Sequence, residues 1–141
     1  MRRHGDSWSA SPAYATRLPL LRLFGAQFVG WLGDHHWLDL ARSANNTAEQ
    51  LSAGLARLPG VRIVWPTEAN EVFAVLPRTL DARLRAVGAV YYEWNPNSLP
   101  HGESLGENEV LARFVTSFVT SSQDVSDFLE LARVTRSTKS A

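Results

Sequence analysis

Two stretches in the first half of the chain carry apolar residues at the spacing of an α-helix. Residues 18–32 are apolar over most of the helix circumference, and Gly33-Asp34 is expected to end this helix. The second stretch begins near residue 35 and has one apolar face, with residues three or four positions apart: Leu40, Ala44, Ala48, Leu51, Leu55 and Leu58. Pro59-Gly60 is expected to end it.

After this point the pattern changes to the alternation typical of β-strands. Strands are predicted at 61–65, 71–76, 89–94 and 111–118, with a short helix after Pro77 and a long loop from residue 95 to about 109. Gly88 is expected in the left-handed conformation that ends a helix, and Ser121 with Asp124 predicts a capping box on the last helix. The order predicts an α+β domain, in which helices cover one face of a small, mostly antiparallel sheet of about four strands.

Length and composition define the class of protein. At 141 residues with 45% apolar residues, the chain can bury one core, which we place in residues 17–135. Residues 1–16 are predicted to be irregular and residues 136–141 to be a polar tail. A net charge of zero without a basic block argues against nucleic acid as a partner.

The sequence also bears on the cellular compartment and on association with membranes. The chain has no cysteine, which fits a reducing compartment, and Arg2-Arg3 is followed by no apolar run of the kind found in signal peptides. Residues 18–32 are too short and too polar to span a membrane. We therefore expect a cytoplasmic protein with no membrane partner.

Lysine is nearly absent. Of the fourteen basic residues thirteen are arginine, and the single lysine is Lys139 in the predicted tail. Chemistry that needs a lysine nucleophile in a formed pocket therefore has no candidate in this chain.

Few residues indicate chemistry by themselves. His35-His36 are adjacent, so on a helix their side chains diverge by about 100°, and no third ligand stands at metal-binding spacing. Tyr91-Tyr92 and Trp94 are interpreted as strand core rather than a stacking platform. Asn45-Asn46 is unusual inside a helix, and packing or a contact to another domain explains it equally well. No catalytic, cofactor-binding or metal-binding residue is assigned on these grounds.

Arg113 needs an explanation because it stands in a strand that is otherwise apolar or hydroxylic. A charge there is costly unless paired, and the planar guanidinium suits a carboxylate. From the residues alone, an internal Arg–Glu pair, an exposed strand face and a ligand-binding role all remain open.

Four segments resemble a known family in their sequences, in their order and in the spacing between them. They are Trp37 to Gln50 (WLDLARSANNTAEQ), Leu58 to Pro77 (LPGVRIVWPTEANEVFAVLP), Leu80 to Trp94 (LDARLRAVGAVYYEW) and Ala112 to Leu129 (ARFVTSFVTSSQDVSDFL). They are similar to the C-terminal part of low-specificity threonine aldolases, in the threonine aldolase and aromatic amino acid β-eliminating lyase family. The fold this implies is the small domain of the pyridoxal-phosphate (PLP) transferases of the aspartate aminotransferase type.

The resemblance also implies a function. Such enzymes cleave threonine or allo-threonine to glycine and acetaldehyde, using PLP bound to a lysine of a large N-terminal domain. That domain would be the partner of this chain, and the complete enzyme would be a homo-oligomer. Arg113 in RFVTSF matches the family arginine that binds the α-carboxylate of the amino-acid substrate. This reading leads us to expect an Arg113 side chain that reaches the surface, without a strong carboxylate partner in its own domain.

The same resemblance allows other interpretations of this chain alone. Without the lysine domain, the chain would bind no PLP and would be a fragment, the product of a split gene, or an inert interaction subunit. An unrelated α+β binding module is a further alternative.

Overall fold

The computed structural model describes residues 17–134, so the predicted irregular start, the polar tail and Lys139 lie outside the described residues. The chain divides into two compact units, one ending at Trp37 and the other beginning at Leu38, a division that the sequence did not predict. In the first unit, helix α1 (Arg17–Leu32) leads into a 3-10 turn (Gly33–His35). Asp34 and His35 both have positive φ, 53° and 59°, which explains why the helix stops there.

The remaining elements alternate helices with short strands. Helix α2 (His36–Leu55) begins at the end of the first unit and continues into the second. It is followed by β1 (Arg62–Ile63), β2 (Glu71–Pro77), α3 (Arg78–Ala86), β3 (Tyr92–Glu93), a short 3-10 turn (Pro96–Ser98), β4 (Glu109–Val115) and α4 (Ser122–Arg133). Within residues 17–134 no helix is long and apolar enough to cross a membrane.

The four strands form one antiparallel sheet in the order β1-β2-β4-β3. Strands β2 and β4 are paired along their full length, from Glu71 opposite Val115 to Pro77 opposite Glu109. The predicted α+β class and small antiparallel sheet are confirmed.

One face of the sheet is covered by helices and holds the core. Alternate residues of the central strands point into it: Val72, Ala74, Leu76, Val110, Ala112 and Phe114. They share this core with apolar residues of α2, α3 and α4, including Leu55, Leu84 and Leu129. Because strand side chains alternate, the intervening residues of β2 and β4 lie on the opposite face.

Several local predictions are confirmed and several boundaries differ. Gly88 has φ 92°, and Ser121 and Asp124 form the reciprocal capping box. Strand β4 ends three residues earlier than predicted, because Ser117 to Thr120 form a turn. Strand β3 is shorter than predicted because the N–H of Ala89 still donates to Leu84 at the end of α3.

Candidate functional site

Arg113 lies on the sheet face opposite the helices. Its neighbours Ala112 and Phe114 are buried in the core, so the alternation of β4 directs Arg113 the other way. It is paired with Phe73 on one side and with Tyr92 on the other, and its side chain is 27% exposed. The guanidinium therefore lies partly buried on the face opposite α2, α3 and α4.

The expectation that Arg113 has no carboxylate partner within its domain is wrong. Its Nη2 donates to Oε1 of Glu71, the first residue of β2. The cause is the sheet register: Glu71 is two residues before Phe73, which places it diagonally across from Arg113 on the same face. A half-buried cation in an otherwise apolar strand is stabilised by this pairing.

Glu93, Glu103 and Glu109 do not pair with Arg113. Glu103 and Glu109 both lie within ion-pair distance of Arg62, at 2.6 Å and 3.8 Å. Nη2 of Arg62 also donates to the carbonyl of Ser104, so this arginine fastens the long loop back onto β1. Glu93 is exposed on β3, and no ion pair joins it to another part of residues 17–134.

The Arg113–Glu71 contact does not use all the donors of the guanidinium. One oxygen of Glu71 accepts from Nη2, so the contact is monodentate. Nε of Arg113 is buried and has no hydrogen-bond partner among residues 17–134. A buried donor without an acceptor carries a desolvation cost, and a second anion could satisfy it.

A row of aromatic rings supports the guanidinium. Arg113 Cζ lies 5.0 Å from the ring centroid of Trp94, within the range of a cation–π contact. The ring of Phe73 packs edge-on against Trp94 at 5.5 Å and against Trp65 at 5.0 Å. These contacts restrict where the guanidinium can move.

The aromatic predictions are confirmed only in part. Tyr91 is buried in the core as expected, with its ring 4.5 Å from that of Phe114. Tyr92 is exposed, which contradicts the core interpretation, because it lies beside Arg113 on β3, the edge strand of the sheet. Trp94 is half-buried and belongs to the candidate site. The sequence does not indicate this contact, because it depends on how the chain after β3 continues along β4, where the N–H of Trp94 donates to the carbonyl of Leu111.

The described residues offer no metal centre. No group of three His, Asp or Glu side chains within residues 17–134 could hold an ion. His35 lies in the 3-10 turn, and His36 is the first residue of α2.

Comparison with known proteins gives these features a context. No family model matches the chain. The low-specificity L-threonine aldolase of Pseudomonas aeruginosa is 36% identical over 113 residues, covering 80% of this chain and 28% of the relative. The chain is homologous to the low-specificity L-threonine aldolases. The aldolase of Pseudomonas sp. strain NCIMB 10558 is 39% identical over 72 residues, covering 51% of this chain and 21% of the relative.

Solved structures agree with this relationship to the threonine aldolases. The Leishmania major threonine aldolase superposes with a TM-score of 0.65 at 28% identity, over 78% of this chain and 29% of that one. A glycine decarboxylase, the P-protein of the glycine cleavage system, superposes with a TM-score of 0.55 at 26% identity, over 78% of this chain and 24% of that one. The chain spans less than a third of the length of each of these relatives.

Proposed function

We propose that this chain forms the substrate-carboxylate-binding part of a threonine aldolase whose PLP is held by residues outside it. One observation carries the proposal. In a chain homologous to threonine aldolases, Arg113 lies on the sheet face opposite α2, α3 and α4, with a buried Nε that has no acceptor in residues 17–134. The planar donors of a guanidinium match a carboxylate such as that of an amino acid.

The role assigned to Arg113 is orientation. A guanidinium stays charged, so Arg113 does not transfer protons during the reaction. By holding the carboxylate it fixes the rotation of the amino acid and decides which bond to Cα is presented for cleavage. Trp94 and Glu71 position the guanidinium for this task from two sides.

PLP supplies the electron sink for carbon–carbon cleavage in such enzymes, but the described residues do not fit it as an anchor. Residues 17–134 contain no lysine for the covalent link, and the arginine site has no glycine-rich loop. No step through the cofactor is therefore assigned to this chain. Its contribution would be to bind and orient the substrate.

Glu71 sets a condition on this role. It already neutralises part of the charge that would attract the substrate, so a substrate carboxylate must share the guanidinium with Glu71 or displace it. Both side chains are about one-third exposed or less, at 27% and 34%, so exchange with an incoming anion does not require the core to open.

The proposal is tested by grafting. The segment of the Pseudomonas aeruginosa aldolase that matches this chain is replaced by the corresponding residues of the chain, and release of acetaldehyde from threonine and allo-threonine is measured. We expect turnover. Arg113→Lys should lower kcat/KM by roughly 30- to 1000-fold, equivalent to about 2–4 kcal/mol, because an ammonium cannot reproduce the planar fork.

A matched control separates binding from folding. Arg42→Lys changes an exposed arginine on α2 that pairs with Asp39, and it should leave both activity and thermal midpoint unchanged. If Arg113→Lys lowers the thermal midpoint while kcat/KM is retained, Arg113 has only a structural role with Glu71. A folded graft that binds PLP without cleaving threonine would favour the inert alternative.

A further inference from the structure

A cluster of arginines, separate from Arg113, lies on the side of the sheet that α2, α3 and α4 cover. Arg57 in the turn after α2, Arg83 on α3 and Arg133 at the end of α4 line one cleft of about 350 Å³. No Asp or Glu is among the described residues that line it. The cleft therefore carries a formal charge of +3 on its walls.

Side chains of residues 17–134 do not neutralise this charge. No carboxylate in residues 17–134 lies within ion-pair distance of Arg57, Arg83 or Arg133. The C-terminal end of α4 offers about half a negative charge, and Nη2 of Arg83 donates to the carbonyl of Ala132 at 2.5 Å. Capping of α4 thus accounts for a small part of the charge, and most of it remains.

The guanidinium of Arg83 also has a hydrogen-bond donor that no acceptor in the described residues uses. Nε of Arg83 is buried and has no acceptor among the described residues, although its Nη2 is occupied by the helix end. The cleft walls thus carry three arginines whose donors are not all used, which suits an oxyanion that accepts from several directions.

Apart from Thr79, the rest of the cleft wall is apolar. Leu58 and Leu80 belong to the core cluster, and Pro59 and Pro77 add two rings. The volume is within the range of small-molecule sites and exceeds what a bare phosphate ion needs. Charge on one side and apolar surface on the other match a ligand with an anionic group and an organic part.

We infer that this cleft binds a small organic phosphate. Three guanidiniums match the charge and the several acceptor oxygens of a phosphate better than the single charge of a carboxylate. The cleft lies among residues of the helix-covered face, whereas Arg113 lies on the opposite face. The two sites are separate, and this inference does not depend on the proposed function.

Calorimetric titration of the full chain tests it, with phenyl phosphate, inorganic phosphate and a polyglutamate peptide as probes. We expect phenyl phosphate to bind more tightly than inorganic phosphate, with affinity falling as salt is raised. In NMR spectra recorded during titration with phenyl phosphate, the changes in backbone amide chemical shifts should be largest at Arg57, Thr79 and Arg133. Failure of phenyl phosphate to bind, or tighter binding of the peptide, would overturn the inference.

Substitutions of the cleft arginines test whether phenyl phosphate binds in this cleft. Arg57→Gln and Arg133→Gln change exposed residues, and each should weaken phenyl phosphate binding roughly tenfold. Arg83→Gln should weaken it further but also loosens the end of α4, so the two exposed variants decide the matter. Arg42→Gln is the control and should bind normally, and Arg113→Gln tests whether phenyl phosphate binds at Arg113 instead. Loss of binding in Arg113→Gln with retention in Arg57→Gln and Arg133→Gln would contradict the assignment.

Discussion

The guanidinium of Arg113 contacts two groups of different kinds, the carboxylate of Glu71 and the ring of Trp94. The ring attracts the cation without neutralising it, while the carboxylate both holds the cation and offsets its charge. Removing the carboxylate of Glu71 should therefore strengthen the binding of an anionic ligand, whereas removing the ring of Trp94 should weaken it.

Glu71→Gln is expected to strengthen binding of an anionic substrate. The amide keeps an oxygen that can accept from Nη2 of Arg113 but removes the competing charge. In the grafted aldolase, KM for threonine should fall roughly fivefold, with a small loss of stability. Trp94→Leu serves as the comparison and should raise KM instead. A rise in KM for Glu71→Gln would show that the carboxylate charge itself is needed to position Arg113.

Tyr91 gives a pH-dependent prediction. Burial, followed by its hydrogen bond to Asp81 at 2.7 Å, raises the pKa of Tyr91 above the ordinary value near 10. The unfolded chain therefore loses this proton first as pH rises, so the contribution of Tyr91 to stability is complete below pH 10 and declines above it. The free energy of unfolding, measured with urea at pH 8 and pH 11, should decline less between these pH values in Tyr91→Phe than in the parent chain. An equal decline in both proteins would contradict this.

At the scale of single residues, sequence reasoning recognised Arg113 but not its surroundings. An arginine between Ala112 and Phe114 is conspicuous because burying a charge is costly. Glu71 is 42 residues away in the chain, and only the register of β2 against β4 brings it diagonally opposite. Nothing local in the sequence specifies that register.

The helices were predicted better than the strands, for a physical reason. Caps and breakers act within a few residues, so the capping box at Ser121 and the left-handed Gly88 could be read directly. Strand ends depend on where a partner strand stops. Apolar residues in 89–91 therefore predicted a longer β3 than the two-residue strand that pairs with β4.

Gly54 provides a test of packing between helices α2 and α4. A Cβ at this position would collide with the side chain of Leu129, so Gly54→Ala should destabilise the fold by about 1–3 kcal/mol although alanine favours helix. Gly25→Ala in α1, where a Cβ meets no described atom within 4 Å, should cost nothing. Thermal unfolding compares them. In a Leu129→Ala background Gly54→Ala should cost less than it does in the parent chain, and an equal cost in both would exclude this contact as the cause.

For the whole molecule, α1 is the feature that most affects behaviour in solution. Six of its large apolar residues are between 50% and 74% exposed: Leu23, Phe24, Phe28, Val29, Trp31 and Leu32. Continuous apolar surface of this kind usually promotes association. We expect the isolated chain to form oligomers as its concentration rises, as measured by light scattering.

Substitutions can assign that association to α1. Phe28→Glu should reduce it, whereas Val90→Glu, at an isolated position that is 93% exposed, should not. A monomer at all concentrations, with no binding of an apolar dye, would contradict the expectation.

The pairing of β2 with β4 also determines the order in which the chain can fold. Partners in this pair are between 32 and 44 positions apart, as the outer pairs Pro77 with Glu109 and Glu71 with Val115 show. During synthesis β2 leaves the ribosome before β4 does, and among the strands of residues 17–134 only the two residues of β1 can pair with it in the meantime. An apolar strand with one free edge is then available to other chains, and closing so long a loop is slow. Yield of this protein in cells should therefore depend on translation speed and chaperone capacity more than on the stability of the finished fold.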